Sequence, residues 1–346
     1  EGMETVLGLA ASLPMHLHET AYALAAEIAA SDRKVAAEEI RFLQLLRNKL
    51  SVDKLTCAAL ERGAQARHQT EEIVDLTSFV SNNEPTIRLG VFLGLFGIFA
   101  LSEYLRPRRP LVTSKSHRWF TNFAIVVIDS VVVRLIFPAA AVGVALWAQA
   151  NGYGLFNATS VAVWIAGLVS IISLDFAVWF SHLLSHKVPI FWRFHRMHHS
   201  DRDIDVSTAI RFHPVEIVLS MIYKVAWVVA LGAPAWSVIL FEIILNGVAM
   251  FNHSNLKLPL VLDRITRLII VTPDMHRVHH STIRRETDSN YGFNFPFWDK
   301  MFGTYIAQPE KGHDGMQIGI AEWQDEKPTQ LGWTLSVPLL DQFKKD

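Results

Sequence analysis

The spacing of apolar positions changes character once along this chain. Between Leu17 and about His68, apolar residues recur at helical intervals. Tyr22, Ala25, Ile28 and Ala29 form one such set, and Ile40, Leu43, Leu46 and Leu50 form another. That period places apolar side chains on one helix face, so three short amphipathic helices are predicted here. Ser31-Asp32 and Ser51-Val52-Asp53 supply turn and N-cap residues between them. After Arg88 the polar face disappears. Apolar runs extend over Leu89–Leu105, Phe123–Trp147, Val161–Phe180, Val215–Leu231 and Ala235–Phe251, close to the ~20 residues needed to cross a hydrocarbon core. Gly232-Ala233-Pro234 joins the last two runs as a helical hairpin.

The pattern divides the chain into a helical segment over 1–73, a linker over 74–87, a membrane domain over 88–310 and a C-terminal extension over 311–346. A polar, acidic run from Gln69 to Pro85 marks the linker. The expected fold is all-α: a small soluble helical segment, then a polytopic membrane protein of four to five transmembrane helices. Charge gives the orientation. Arg106, Arg108, Arg109, Lys115 and Arg118 fall in one loop, and Lys187, Arg193, Arg196, Arg202 and Arg211 in another. Two spans separate these loops, so both are expected on the cytoplasmic side, and the hairpin returns the chain there at His253. A single span before the first loop would leave residues 1–85 on the opposite side. A re-entrant first span, an unusual fusion or an artificial boundary would remove that conflict.

Composition narrows the chemistry. Of 346 residues, 51% are hydrophobic, and the mean hydropathy of +0.24 is high for a soluble protein. A formal charge of −1 lacks the basic field that nucleic-acid binding demands. Cys57 is the only cysteine, which excludes internal disulfides, cysteine-ligated zinc and a four-cysteine iron–sulfur cluster. No G-x-G-x-x-G or C-x-x-C-H motif occurs, so redox chemistry would draw electrons from another protein. The chain shown starts at Glu1 and lacks the features of a secretory signal peptide.

Histidine spacing carries the functional signal. His182-x-x-x-His186 is followed by His195-x-x-His198-His199 and, some eighty residues later, by His276-x-x-His279-His280. Residues three and four apart share a helix face, so each motif is expected to present its imidazoles together. One copy alone is also compatible with a solvated basic helix end; two copies beside apolar spans favour metal ligation. Imidazole suits iron, zinc and copper, and eight or more ligands exceed one coordination sphere, which points to two ions.

These boxes, set among apolar spans, resemble the sterol desaturase / fatty acid hydroxylase superfamily from about Leu89 to Tyr305. Arg211-Phe212-His213-Pro214, Asn252-His253-Ser254-Asn255, Asp288-x-Asn290-Tyr291-Gly292 and Phe297-Trp298-Asp299-Lys300-Met301-Phe302-Gly303-Thr304-Tyr305 are similar to further pieces of that family. Leu183 departs from it, since many members carry Arg there. The resemblance implies a cytosolic histidine-rich helical cap and a non-haem di-iron enzyme that uses O2 to hydroxylate or desaturate a sterol, fatty acyl or related lipid. It implies His182, His186, His195, His198, His199, His276, His279 and His280 as metal ligands, with His253 as a further one. His213 is either another ligand or a structural residue before Pro214. A separate cytochrome b5-type or ferredoxin-type electron donor is also implied. Zinc would fit the same ligands in a purified sample.

Carboxylates near the boxes invite supporting roles. Asp175 lies two helical turns before His182, inside an apolar span, where an ionisable group is costly. It is expected either to orient a metal-bound histidine through its second nitrogen or to pair with a polar neighbour. Glu242, mid-span, reads as a helix–helix contact. Trp179, Phe191, Trp192 and Phe194 suit the membrane interface. In the front segment, Ala21–Asp32 with Glu38-Glu39 and Leu43 resembles the later half of tellurite-resistance TerB-like domains. Asp32, Glu38 and Glu39 there read as solvated helix-end carboxylates or as cation contacts. Two other functional classes remain at this stage: a histidine-rich metal-binding or metal-sensing membrane protein linked to metal stress, and a zinc-dependent lipid hydrolase.

Overall fold

In the front segment the apolar stripes become a small core. The computed structural model describes residues 2–31, 37–65, 83–137 and 140–340, and the chain divides into units Glu1–Asn83 and Glu84–Asp346. The first unit holds α1 (Gly2–Ala11), α2 (His18–Ser31), α3 (Ala37–Lys49) and α4 over 54–65. Leu7, Tyr22, Ala29, Leu43, Leu46, Leu50, Val52 and Cys57 pack together. Two expected stripe members point elsewhere: Ile28 is 72% exposed and Ile40 46%. Ile28 lies six residues from Tyr22, about a third of a turn off its face, and the buried line instead runs through Ala26, Ala29 and Ala30. Asp53 caps α4 as expected, accepting from Leu55 N at 2.9 Å and Thr56 N at 3.0 Å. His18 bridges Ser51 N and the Leu13 carbonyl, both at 3.0 Å, a structural role. Asp32 and most of the linker lie outside the described residues.

Among its described residues the second unit contains five stretches long and apolar enough to cross a membrane, spanning 85–105, 115–150, 163–187, 214–231 and 235–253. They are α5 (Glu84–Leu105), α6 (Lys115–Ile136) with α7 (Ala141–Ala150), α8 (Val163–Lys187), α10 (Pro214–Leu231) and α11 (Ala235–His253). The second apolar run, expected as Phe123–Trp147, is two helices. α6 begins eight residues earlier and ends at Ile136, just ahead of Pro138, whose ring disfavours helix in the residue before it. Gly232, at φ 65°, caps α10 and turns the chain into α11; an added Cβ there would press on the Tyr153 carbonyl and the Asn157 side chain.

Position in the bundle decides what each helix carries. In α11 half of the most apolar window is buried and in α8 39%, against 6% in α5 and α10. α8 and α11 are therefore the inner helices, and their C-terminal ends carry His182, His186 and His253. The outer helices expose Leu89, Leu93 and Ile98 from α5 and Val215, Leu219 and Ile222 from α10, which suits contact with hydrocarbon rather than water. Glu242 on α11 draws these helices together, 2.7 Å from Arg88 and 2.7 Å from Lys224, the expected polar contact between helices.

The cap is made of short elements. α9 (Pro189–His199), α12 (Leu260–Thr266), α13 (Pro273–His279), α14 (Arg284–Thr287) and α15 (Phe297–Met301) gather at the end where α8 and α11 finish. The 311–346 stretch, expected as an extension, belongs to this unit through residue 340. Met316 and Ile318 pack on Ile204, while Trp323 and Val337 join Ile125 and Met197. Arg196 ties it down by donating to the Val337 and Leu340 carbonyls at 2.7 and 2.8 Å. Salt bridges lock the cap onto α6: Arg118 is fully buried and pairs with Asp201 at 2.6 Å and Asp205 at 2.7 Å.

Candidate metal centre

Nine histidines meet in the cap, sorted into two pools. His182, His186, His195, His199 and His279 form one, and His198, His253, His276 and His280 the other; within each, one nitrogen per residue lies within 4.8 Å of all the rest. The sorting corrects the expectation that each H-x-x-H-H acts as a unit. At about 100° per residue, the first and last histidines of a box lie ~40° apart, whereas the middle one swings to the other side. His195 and His199 thus serve the first pool while His198 crosses to the second, and His276 and His280 serve the second while His279 crosses to the first. The two boxes are interlocked. His253, at the end of α11, completes the second pool.

Backbone carbonyls fix which nitrogen faces inward. Nδ1 of His182 donates to Tyr291 O (2.7 Å), that of His198 to Arg211 O (3.1 Å), that of His253 to Ala249 O (2.7 Å) and that of His279 to Ser289 O (2.6 Å). A carbonyl can only accept, so each ring carries its proton on Nδ1 and keeps a bare lone pair on Nε2. His195 is held likewise, with Nδ1 2.6 Å from the Glu216 carboxylate. Yet Nε2 of His182 and His195 stand 3.1 Å apart, as do Nε2 of His198 and His253. Two lone pairs facing at that distance are not a hydrogen bond; they repel unless a cation lies between them.

That spacing is itself the test of fit for a metal. Imidazole nitrogens about 2.1 Å from one ion stand about 3.0 Å apart at a right angle and about 3.4 Å apart in a tetrahedron. His276 Nε2 lies 3.1 Å from His253 Nε2 and 3.3 Å from His280 Nε2, in the same range. His199 Nε2 and His279 Nε2 are buried with no hydrogen-bond partner, which fits nitrogens reserved for a metal. Burial and neighbouring imidazoles push His198, His199, His276 and His280 well below the usual histidine range, and burial pushes His279 down to about 3. These five rings are therefore neutral at physiological pH and ready to ligate.

The surroundings hold these rings rigidly. Phe212 stacks on His198, with centroids 4.5 Å apart and planes 7° apart. Arg211, fully buried, donates to Met197 O, Asn122 Oδ1, Ser200 Oγ and Pro328 O, fixing the turn whose carbonyl holds His198. Asp299 accepts from Tyr291 N, Gly292 N, Trp179 Nε1 and Thr304 Oγ1, which sets the carbonyl that holds His182. Trp179 is thereby a buried anchor rather than an interface residue. Asn290, at φ 50°, bonds Met275 O and Ile306 O through its amide and joins this loop to α13.

Two expected site residues stand apart from the pools. His213 caps α10, accepting from Val215 N, and its Nε2 lies 3.2 Å from Leu335 O. Both ring nitrogens are thus engaged with the backbone. Asp175 is buried in α8, but its Oδ2 accepts from Trp298 Nε1 at 2.8 Å, and among the described residues no histidine hydrogen-bonds to it. The carboxylates beside the pools are Glu216, on His195, and Asp288, 3.5 Å from His186 Nδ1. The sequence reading does not single out Glu216, and it names Asp288 only within a family-like segment. A signal existed for Glu216, an acid in the first turn of the helix that Pro214 opens.

Comparison with known proteins agrees with this geometry. Residues 167–304, which contain all nine histidines, match the family model described as fatty acid hydroxylase. The chain is 30% identical over 166 residues to alkylglycerol monooxygenase from Homo sapiens, covering 46% of this chain and 35% of that protein. With ornithine lipid hydroxylase OlsE from Rhizobium tropici it is 27% identical over 237 residues, 66% of this chain and 70% of the relative. With cholesterol 25-hydroxylase from Rattus norvegicus it is 27% identical over 145 residues, 41% of this chain and 47% of the relative. The chain thus spans only about a third of the human alkylglycerol monooxygenase it matches. No solved structure matches it.

Proposed function

We propose that this chain, whose residues 167–304 match the fatty acid hydroxylase family model, is a member of the fatty acid hydroxylase / sterol desaturase superfamily and a non-haem di-iron membrane oxidoreductase that hydroxylates a membrane lipid with O2, one iron ion in each pool. The observation that carries this is the division of nine buried imidazoles into pools of five and four. Iron supplies, when bound and reduced, the O2 chemistry needed to break an unactivated C–H bond. Neither pool fills six positions, so each leaves room for a further ligand. A hydrolytic zinc ion normally uses about three protein ligands, fewer than either pool offers.

The protein's own residues prepare the site. Carbonyls of Tyr291, Arg211, Ala249 and Ser289 retain the Nδ1 protons and aim the opposite nitrogens inward. Glu216 does the same for His195 and adds a negative charge behind it. Phe293, 4.9 Å from His182 and 6.1 Å from His276 between ring centroids, and stacked Phe212 set apolar rings beside the histidines. Hydroxylation consumes O2, two electrons and two protons and returns lipid alcohol and water. With no nucleotide or haem motif in the chain, the electrons come from a separate cytochrome b5-type or ferredoxin-type donor. The Arg- and Lys-rich loops at the histidine end of the bundle support a cytoplasmic site, which such a donor can reach.

The relatives' printed names, all monooxygenases or hydroxylases, favour hydroxylation over desaturation. The test is turnover: iron-loaded protein in bilayer vesicles, given a reductase chain and a panel of ether, acyl and sterol lipids. O2 uptake with mass gain of one oxygen in one lipid is expected. Loss of two hydrogens without added oxygen would replace hydroxylation by desaturation. Lipid turnover by the zinc-loaded protein without reductant would refute the reading.

A further inference from the structure

The loops that follow α5 and α11 are clamped together by backbone. Pro107 and Leu256 form an isolated antiparallel bridge; Arg108 N donates to Asn255 O at 2.8 Å and Lys257 N to Arg106 O at 3.1 Å. This pairing sets Arg106 and Lys257 on one open cleft of ≈ 470 Å³, together with Arg108, Leu258, Leu260 and Asp274. Arg108 is already matched, since Asp274 and Asp314 both pair with it. Arg106 and Lys257 are exposed, and among the described residues no carboxylate pairs with either. Two like charges held together by a rigid backbone clamp favour an anion between them.

What surrounds the cleft identifies the carrier of that anion. At the end of α5, Tyr104 is 79% and Leu105 66% exposed. α12 exposes Leu260, Val261, Leu262 and Ile265, while its one acid, Asp263, turns inward to Arg267 and Thr272. A helix with an apolar outer face, placed where two spanning helices leave the apolar band, has the character of an element lying in the membrane interface. Water-soluble anions would gain nothing from those side chains. An amphiphile gains from both.

We propose that this cleft binds the phosphate group of an anionic glycerophospholipid of the bilayer, with Arg106 and Lys257 on the headgroup and the acyl chains along α12 and the end of α5. The site is separate from the histidine pools and requires no metal. It gives the cap a fixed depth at the surface from which its substrate comes. The charge arrangement favours a lipid over a soluble acidic protein, because the neighbouring surface is apolar rather than polar.

The experiment uses the full chain in detergent, loaded with phosphatidylglycerol or phosphatidylcholine, with retained lipid counted by native mass spectrometry. Wild type is expected to retain phosphatidylglycerol about tenfold better or more, consistent with two basic side chains at an anionic surface. R106A/K257A is expected to bring it to the phosphatidylcholine level with helicity and metal content unchanged. L260S/V261S should weaken retention of both lipids while keeping the preference, which separates the tail contacts from the headgroup contacts. Equal retention of the two lipids by wild type would overturn the proposal and leave the cleft to a soluble acidic partner. An undiminished preference in R106A/K257A would overturn it too. So would displacement of phosphatidylglycerol by an equal concentration of inorganic phosphate, which would reduce the cleft to a simple anion site.

Discussion

The two histidine pools are built from the same boxes but supported differently. The five-membered pool has carboxylates behind it, Glu216 on His195 at 2.6 Å and Asp288 3.5 Å from His186. The four-membered pool leans on neutral groups: carbonyls for His198 and His253, and no partner for Nδ1 of His276 or His280. A carboxylate behind an imidazole makes it a better donor and offsets part of a cation's charge. The first pool should therefore hold its ion more tightly than the second. Identical motifs acquire unequal roles through what lies at their backs.

Removing a ligand from either pool gives the largest expected effect. His199→Ala should strip the first ion and His198→Ala the second, each abolishing activity, because coordination and binding run through the same imidazoles. Metal analysis should find one ion per chain remaining in each variant, whereas exposed His117→Ala retains both ions and full activity. Two retained ions in His198→Ala would erase the distinction between the pools. Glu216→Gln should cost about 10–100-fold in affinity for the first ion or in turnover, and leave the second ion in place. A loss falling equally on both ions would show that the carboxylate serves the whole cap.

Acid should act through the same imidazoles. His198, His199, His276 and His280 lie well below their ordinary value of 6.5 when folded, and His279 falls to about 3. Once unfolded, each takes up a proton near 6.5; folded, it does not. Their contribution to the stability of the metal-free protein is thus fully present above pH 6.5 and falls progressively as pH drops toward 3. Thermal unfolding of the metal-free protein across this range checks it, with a flat profile contradicting it. Added metal should oppose the loss at each pH.

How much of this was readable beforehand depended on range. The box histidines were legible because their spacing, three or four residues, is the geometry of one helix. Division into pools was not, since it depends on how α9 and α13 face each other across the cap. His253 was found only through the Asn252-His253 resemblance. Glu216 escaped because its partner lies 21 residues away on another helix. Asp175 stays open between two roles in the sequence for the same reason: its place on the His182 face is legible, but Trp298, which donates to its oxygen, lies 123 residues away. The five apolar spans were legible from length alone, while the interruption after Ile136 was overlooked although Pro138 marked it.

Asp175→Asn sits at the small end of the scale. Asparagine retains an oxygen to accept from Trp298, so activity should fall by no more than about one hydrogen bond's worth, roughly tenfold at most. Variant turnover at constant metal content measures this, and a hundredfold loss would restore Asp175 to a role at the pools.

The central claim is that each pool holds its own ion. The direct measurement is anomalous scattering, at the iron edge, from crystals of the full chain prepared with iron under anaerobic conditions. The account predicts two peaks, one among Nε2 atoms of the five-membered pool and one among those of the four-membered pool, with the second losing occupancy first as chelator is added. A single peak shared by both pools, with one set of histidines left uninvolved, would contradict it.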